Sequence, residues 1–208
     1  MVELYMARTC RYGMLKVIGG DLHKQSGDLL ITPANNRLSG REAIDALVHK
    51  EAGEELREKC REISVHQRTL NLPPCPVTTC VLTEPYNLKG QFKNILHLVG
   101  PDCRRPNQDE ARRVLIKETY DTLFEQLRGM KKVKKIIAPA ISMGIFAYPH
   151  REGAKRTLGH LLEWLDTDDT NNVEEYIIIV KEKNFINNMR TVYRETEDQL
   201  PGRDTTNE

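Results

Sequence analysis

The 208-residue chain has no apolar run approaching the roughly 20 residues that a membrane-spanning helix needs. Its first residues, Met-Val-Glu-Leu-Tyr-Met-Ala-Arg, lack the apolar stretch of a signal peptide. Charge of one sign is also absent. The net charge is +1, so no whole-molecule field draws nucleic acid or an anionic membrane, and an anionic ligand must be held by local geometry. Cysteine is sparse: Cys10, Cys60, Cys75, Cys80 and Cys103 are odd in number and scattered, and they complete no zinc pattern. Reduced thiols in the cytoplasm or nucleus are expected, with no metal. Neither Gly-x-Gly-x-x-Gly nor a Walker-type loop occurs, so hydride transfer and nucleotide hydrolysis have no local support, and no cofactor is expected. There is no internal repeat.

What is present alternates. Apolar runs predict strands at 15–18, 29–32, 77–83, 94–99, 136–138 and 176–180. Helical periodicities lie near 42–62, 109–127, 151–165 and 185–195. Buried strands separated by amphipathic helices argue for an α/β chain with helices on both faces of one sheet. Pro73-Pro74-Cys75-Pro76 breaks the chain before a strand. Residues 1–12 read as an N-terminal extension, 13–195 as one domain, and 196–208, without apolar periodicity, as a disordered tail.

Three segments carry chemistry. The strand 136–138 runs into Pro139-Ala140-Ile141-Ser142-Met143-Gly144-Ile145-Phe146, where a small residue and a glycine interrupt the apolar pattern. Backbone leaving a buried strand in this way can turn successive N–H groups toward one point and bind anionic oxygen. A plain strand–turn–helix connection, with glycine supplying a positive φ, is the alternative. Val17-Ile18-Gly19-Gly20-Asp21-Leu22 ends a strand in glycines and an acid. Asp21 suits either a helix cap or an acceptor for an exocyclic amine. Leu30-Ile31-Thr32-Pro33-Ala34-Asn35-Asn36 opens a strand into a polar loop. There an asparagine amide can hold a turn or a pair of sugar hydroxyls.

Together with Ile95-Leu96-His97-Leu98-Val99-Gly100-Pro101, these segments in this order resemble the macrodomain family, the ADP-ribose-binding module, over residues 13–195. The resemblance implies a three-layer α/β/α fold with a mixed, mostly parallel sheet. It also implies ADP-ribose or a mono-ADP-ribosylated protein as the ligand of a monomer. Asp21 would accept from the adenine amino group, and the Leu22 N–H would face a ring nitrogen. Ala34 and Asn35 would lie at the distal ribose. The N–H groups of Ser142, Met143, Gly144, Ile145 and Phe146 would cradle the diphosphate, with the Phe146 ring over the distal ribose. Lys181 would lay its stem against adenine. Asn35 and Asp45 match the hydrolytic pattern, which implies removal of mono-ADP-ribose from proteins or hydrolysis of ADP-ribose esters. A reader without turnover and a degenerate interaction surface are the alternatives.

One departure stands out. Where the family has consecutive glycines, this chain has Gly40-Arg41-Glu42-Ala43. Either the loop is more open, or the helix starts early, with Ser39 as cap and Glu42 three residues on. His97 reads as a hydrogen-bonded core histidine, and His49 has no evident partner.

Overall fold

The structure is a computed structural model and describes residues 3–199. Seven strands form a single sheet: β1 (Leu4–Cys10), β2 (Gly13–Gly19), β3 (Leu29–Pro33), β4 (Cys80–Thr83), β5 (Asn94–Leu98), β6 (Lys135–Ala138) and β7 (Glu175–Val180). Five helices connect or follow them: α1 (Ala43–Ala52), α2 (Glu54–Thr69), α3 (Asp109–Arg128), α4 (His150–Thr167) and α5 (Lys183–Thr196). The strand order is β1-β2-β7-β6-β3-β5-β4. The five inner strands are parallel, and β1 and β4 close the two edges antiparallel.

Alternation along the inner strands explains the layering. Leu29 and Ile31 of β3 pack on one face of the sheet and Leu30 on the other. Tyr176, Ile178 and Val180 of β7 likewise oppose Ile177 and Ile179. The first face is covered through Ile116, Tyr120 and Leu123 of α3, Leu158, Leu161 and Leu165 of α4, and Phe185 of α5. The second is covered by Val48 and Ala52 of α1 and by Leu56 and Cys60 of α2. Both faces of a parallel sheet must be sealed, because strands such as β3, β6 and β7 are apolar on both sides. The three-layer α/β/α fold expected from the sequence is the fold observed.

Four boundaries differ from the sequence expectation. Leu4–Cys10, read as an extension, pair with β2 and form an edge strand of the sheet. The helix expected over 42–62 is two helices. Gly53 between them has φ +94°, and a Cβ there would lie 2.4 Å from Nδ2 of Asn87. The strand expected from residue 77 starts only at Cys80, because Thr78 has φ +70° and Thr79 donates back to the Pro76 carbonyl. At the other end, Glu197–Gln199 form a 3-10 turn, and the tail expected over 196–208 lies outside the described residues from 200 onward.

Parallel pairing brings the carboxyl ends of β2, β7, β6, β3 and β5 to one edge. Connections from β3 run outward to β5, and those from β6 run the opposite way to β7. The chain direction therefore reverses between β6 and β3, the place where ligands bind in open α/β sheets.

Candidate functional site

Following that edge from β2 to β5, the chain presents Asp21, Lys181, the 139–147 loop, the 34–42 loop and the 99–104 loop. The four segments singled out in the sequence thus lie along one edge of the sheet.

The 139–147 loop is shaped by its own backbone. Ser142 is left-handed at φ +61° and Ala147 at φ +53°. The Ser142 carbonyl accepts from Tyr148 N at 2.9 Å, the Gly144 carbonyl from Ala147 N at 2.9 Å, and the Phe146 carbonyl from Cys103 N at 2.7 Å. The N–H groups of Ser142, Gly144, Ile145 and Phe146 donate to no acceptor among the described residues. Carbonyls are thus tied down while a run of donors is left open, the arrangement that binds an anion. Two expectations need correction. Gly144 is not the positive-φ residue of the turn; Ser142 is. Met143 is not an open donor: its N–H points to the Ala140 carbonyl at 3.5 Å, and its buried thioether lies against Gly153 of α4. Met143 anchors the loop.

The opposite wall, residues 34–43, is held by side chains. Asn35 Oδ1 accepts from the N–H groups of Arg37 and Ser39, both at 3.1 Å, and Asn35 Nδ2 donates to Ser39 Oγ at 2.7 Å. Ser39 is therefore a partner in this turn rather than a helix cap, and α1 starts only at Ala43. The early helix start expected from Ser39 and Glu42 does not occur. Ala34 donates its N–H to the Leu98 carbonyl and buries its methyl, so it offers no surface to the cleft. Leu38, Gly40 and Ala43 have φ of +51°, +59° and +44°. At Gly40 a Cβ would stand 2.3 Å from the His49 ring, so glycine survives where both space and backbone demand it. Ala43 takes its left-handed turn with a side chain, at a cost of about 1–2 kcal/mol.

Asp45 follows this turn and points inward. It is 2% exposed and accepts from Thr32 Oγ1 at 2.6 Å. Burial pushes its carboxyl up to about 7, against the lowering effect of the Thr32 hydroxyl. His49 Nε2 lies 3.7 Å away. Burial, helped by the Arg57 charge, holds His49 down to about 4, so the two are not an ion pair at neutral pH. His49, Cys60 and His97 bring donor atoms within 4.8 Å of one another. Burial drives the Cys60 thiol up to about 12 and His97 down to about 3, which makes this a packed neutral cluster as it stands. His97 bonds to the Thr83 hydroxyl at 3.0 Å, as expected of a core histidine.

At the β2 end of this edge Asp21 caps nothing with its side chain. Its carboxylate takes the Lys181 ammonium at 2.5 Å and the Lys24 ammonium at 3.0 Å, and these hold it down to about 2. Lys181 therefore meets Asp21 through its charge. The Leu22 N–H has no acceptor among the described residues, while its side chain is buried.

Asn35, Asp45, Ser142, Gly144, Ile145 and Phe146 line one cavity of about 60 Å³ between the two loops. A second cavity of about 520 Å³ continues past Asn35 and Phe146 to Asp102 and Arg104. Sequence reasoning missed this end. Arg104 pairs with Asp102 through Nε at 2.8 Å and lies over the Phe146 ring, 5.8 Å from its centroid. Two loops far apart in sequence make that contact, and no local pattern announces it.

The model of the Macro domain family matches residues 31–157. An uncharacterized protein of Fusobacterium nucleatum is 30% identical over 90% of this chain and 96% of its own length. Rat "ADP-ribose glycohydrolase MACROD1" is 29% identical over 87% of this chain and 63% of that protein. Among solved structures, the Oceanobacillus iheyensis macrodomain with ADP superposes with a TM-score of 0.81 at 22% identity, covering 96% of this chain and all of that one. Sequence, fold and the cleft at the carboxyl edge agree: the chain belongs to the Macro domain family.

Proposed function

We propose that the cleft binds ADP-ribose and that the chain hydrolyses the bond joining ADP-ribose to a modified protein or a small acyl group. The observation that carries the reading is the run of open N–H donors at Ser142 and Gly144–Phe146, facing a buried carboxyl of pKa about 7 across a narrow cavity. The donors take the diphosphate without any cationic side chain. Asp21 and the Leu22 N–H take adenine, with Lys181 shifting from the carboxylate toward the base. The distal ribose then lies between Asn35 and Phe146. A cavity of about 60 Å³ is well below the roughly 300–1,000 Å³ of small-molecule sites, so binding parts the two loops.

Hydrolysis needs a water placed at the anomeric carbon. Asp45, as carboxylate, takes a proton from that water as the oxygen bonds to carbon. The bond from that carbon to the modified group breaks, and the leaving group keeps the electron pair. A base of pKa near 7 is well matched to this step at neutral pH. The glycohydrolase name of the rat relative supports the same chemistry. Reading without turnover is the second possibility, favoured by the Asn35 amide, of which one N–H stays free, and by Arg41-Glu42-Ala43 in place of glycines. Five free thiols support a reducing compartment, cytoplasm or nucleus.

Titration calorimetry with ADP-ribose, followed by release of label from mono-ADP-ribosylated protein, tests both steps. Binding in the micromolar range is expected, about 8 kcal/mol. No saturable binding at millimolar ADP-ribose sinks the reading. Binding with no release at high enzyme concentration leaves the reader.

A further inference from the structure

Beside the cleft, α2 turns a basic stripe toward the 34–43 loop. Arg57, Arg61 and Arg68 follow one another at spacings of four and seven and so share a side of the helix. Arg37 and Arg41 face them from the loop. The five arginines line one cavity of about 500 Å³. Glu54 pairs with Arg61 at 3.0 Å and approaches Arg57 at 3.8 Å. Arg37, Arg41 and Arg68 have no ion-pair partner among the described residues. His49 also lines this cavity, 1% exposed, with both ring nitrogens lacking a hydrogen-bond partner. Three of the five arginines, Arg37, Arg41 and Arg68, are thus left without a carboxylate among the described residues, and the cavity carries an excess of positive charge.

It also adjoins the candidate site. Arg37, Ser39 and Arg41 line both this cavity and the one that runs past Asn35 and Phe146. With the distal ribose against Asn35, a group attached to its anomeric carbon has Arg37 and Arg41 as the wall shared with the neighbouring cavity.

We propose that the arginine-lined cavity is a second phosphate site, holding the diphosphate of a further ADP-ribose unit joined through the distal ribose. The proposal rests on the ADP-ribose reading of the first site. Guanidinium forks match phosphate oxygens in pairs, which a scattering of lysines would not do. The net charge of +1 means that this basicity is local rather than part of a general field. A compact cavity of this size suits one nucleoside-diphosphate group. Its junction with the first site favours a ligand already anchored there over a free strand, because tethering turns the second contact into an intramolecular one.

The test compares ADP-ribose with purified ADP-ribose dimer by calorimetry on the full chain at low and high salt. The dimer is expected to bind at least about tenfold more tightly at low salt, an advantage that shrinks as salt screens the exposed arginines. The double variant Arg61→Gln, Arg68→Gln changes two exposed side chains on one helix face. It should bring the dimer down to the affinity of the monomer and leave monomer binding unchanged. Monomer bound normally with no gain for the dimer overturns the second site and leaves the first standing. Neither ligand bound removes the first reading and the second with it. If single-stranded RNA or an acidic peptide of equal charge displaces the dimer at equal concentration, the surface is a general polyanion face and the proposal fails.

Discussion

The two loops that face each other across the cleft reach similar left-handed turns by opposite means. The 139–147 loop is tied by its carbonyls, leaves its N–H groups open and anchors itself through Met143 against α4. The 34–43 loop is tied by side chains, through the Asn35 amide to Arg37 and Ser39, and it carries an alanine where its backbone is left-handed. One wall is built to receive an anion. The other is built around its own turn, and it delivers Asp45 to the interior. Affinity should therefore depend on the first wall, and stability and turnover on the second.

Placing the same substitution in each wall separates these roles most sharply. Gly40→Val puts a branched side chain at φ +59° and against the His49 ring. A loss of about 3 kcal/mol is expected, which lowers the thermal midpoint by about 6–12 °C for a chain of this size. Gly144→Val meets no atom within 4 Å and has no positive φ to violate, yet it sets a branched side chain among the open N–H donors of the loop that lines the small cavity. It should leave the midpoint unchanged and weaken ADP-ribose by at least about thirtyfold, or 2 kcal/mol. Equal thermal losses in the two variants would erase the distinction between the walls.

Asp45→Asn tests the buried carboxyl in two ways. Hydrolysis should fall by about a hundredfold or more, with ADP-ribose affinity held within about threefold, the signature of an interaction used in the transition state. The native rate should rise with pH through about 7 as Asp45 ionises. Stability runs in the opposite direction. Folded Asp45 keeps its proton up to about pH 7, whereas the unfolded chain ionises in the usual carboxylate range. The folded form thus binds the extra proton, and its stability falls as pH rises from about 4 to 7. The asparagine variant lacks this penalty and should gain on the native protein between pH 5 and pH 8. A constant difference between their melting curves would place Asp45 in a far wetter setting than the Thr32 contact allows.

At the far end of the cleft, Asp21→Ala should weaken ADP-ribose by about tenfold through the lost acceptor. It also releases Lys24 and Lys181 from their ion pairs, but these exposed contacts should leave the melting curve unaltered. Undiminished affinity would show that Lys181 never yields the carboxylate to a base.

Much of this arrangement is legible in the sequence because the relevant residues are local to strand ends. Gly20-Asp21-Leu22, Thr32–Asn36 and Ser142–Phe146 each follow an apolar strand directly, and parallel pairing then brings them to one edge. Residues whose role depends on another loop were not legible. Arg104 acquires meaning only against Phe146, and the arginines of α2 only against Arg37 and Arg41. Strand β1 was hidden for a different reason. Its inward positions are Met6, Arg8 and Cys10, and a buried arginine breaks the apolar alternation that marks a strand. The Ser39–Glu42 capping pattern misled because Asn35, four residues earlier, takes the Ser39 hydroxyl for its own turn.

The smallest expected effect asks whether the second wall is strained or merely different. Of the residues replacing the family's glycines, Ala43 alone is left-handed; Arg41 and Glu42 are not among the residues with positive φ. Ala43→Gly should therefore relieve steric cost at one position, and Arg41→Gly should relieve none. Gly also gives the unfolded chain more freedom, which opposes the gain. The net effect should be stabilising by less than about 1 kcal/mol, and a midpoint rise of about 1–3 °C is expected. Arg41→Gly should lower the midpoint or leave it unchanged, because it adds freedom to the unfolded chain without relieving strain. If the turn at Ala43 also limits how the water is placed against the distal ribose, hydrolysis should rise in Ala43→Gly and not in Arg41→Gly. A rise in both variants would mean that the bulk of this loop, rather than its backbone, holds turnover back. A rise in neither would place the limit beyond this wall, at Asp45 itself.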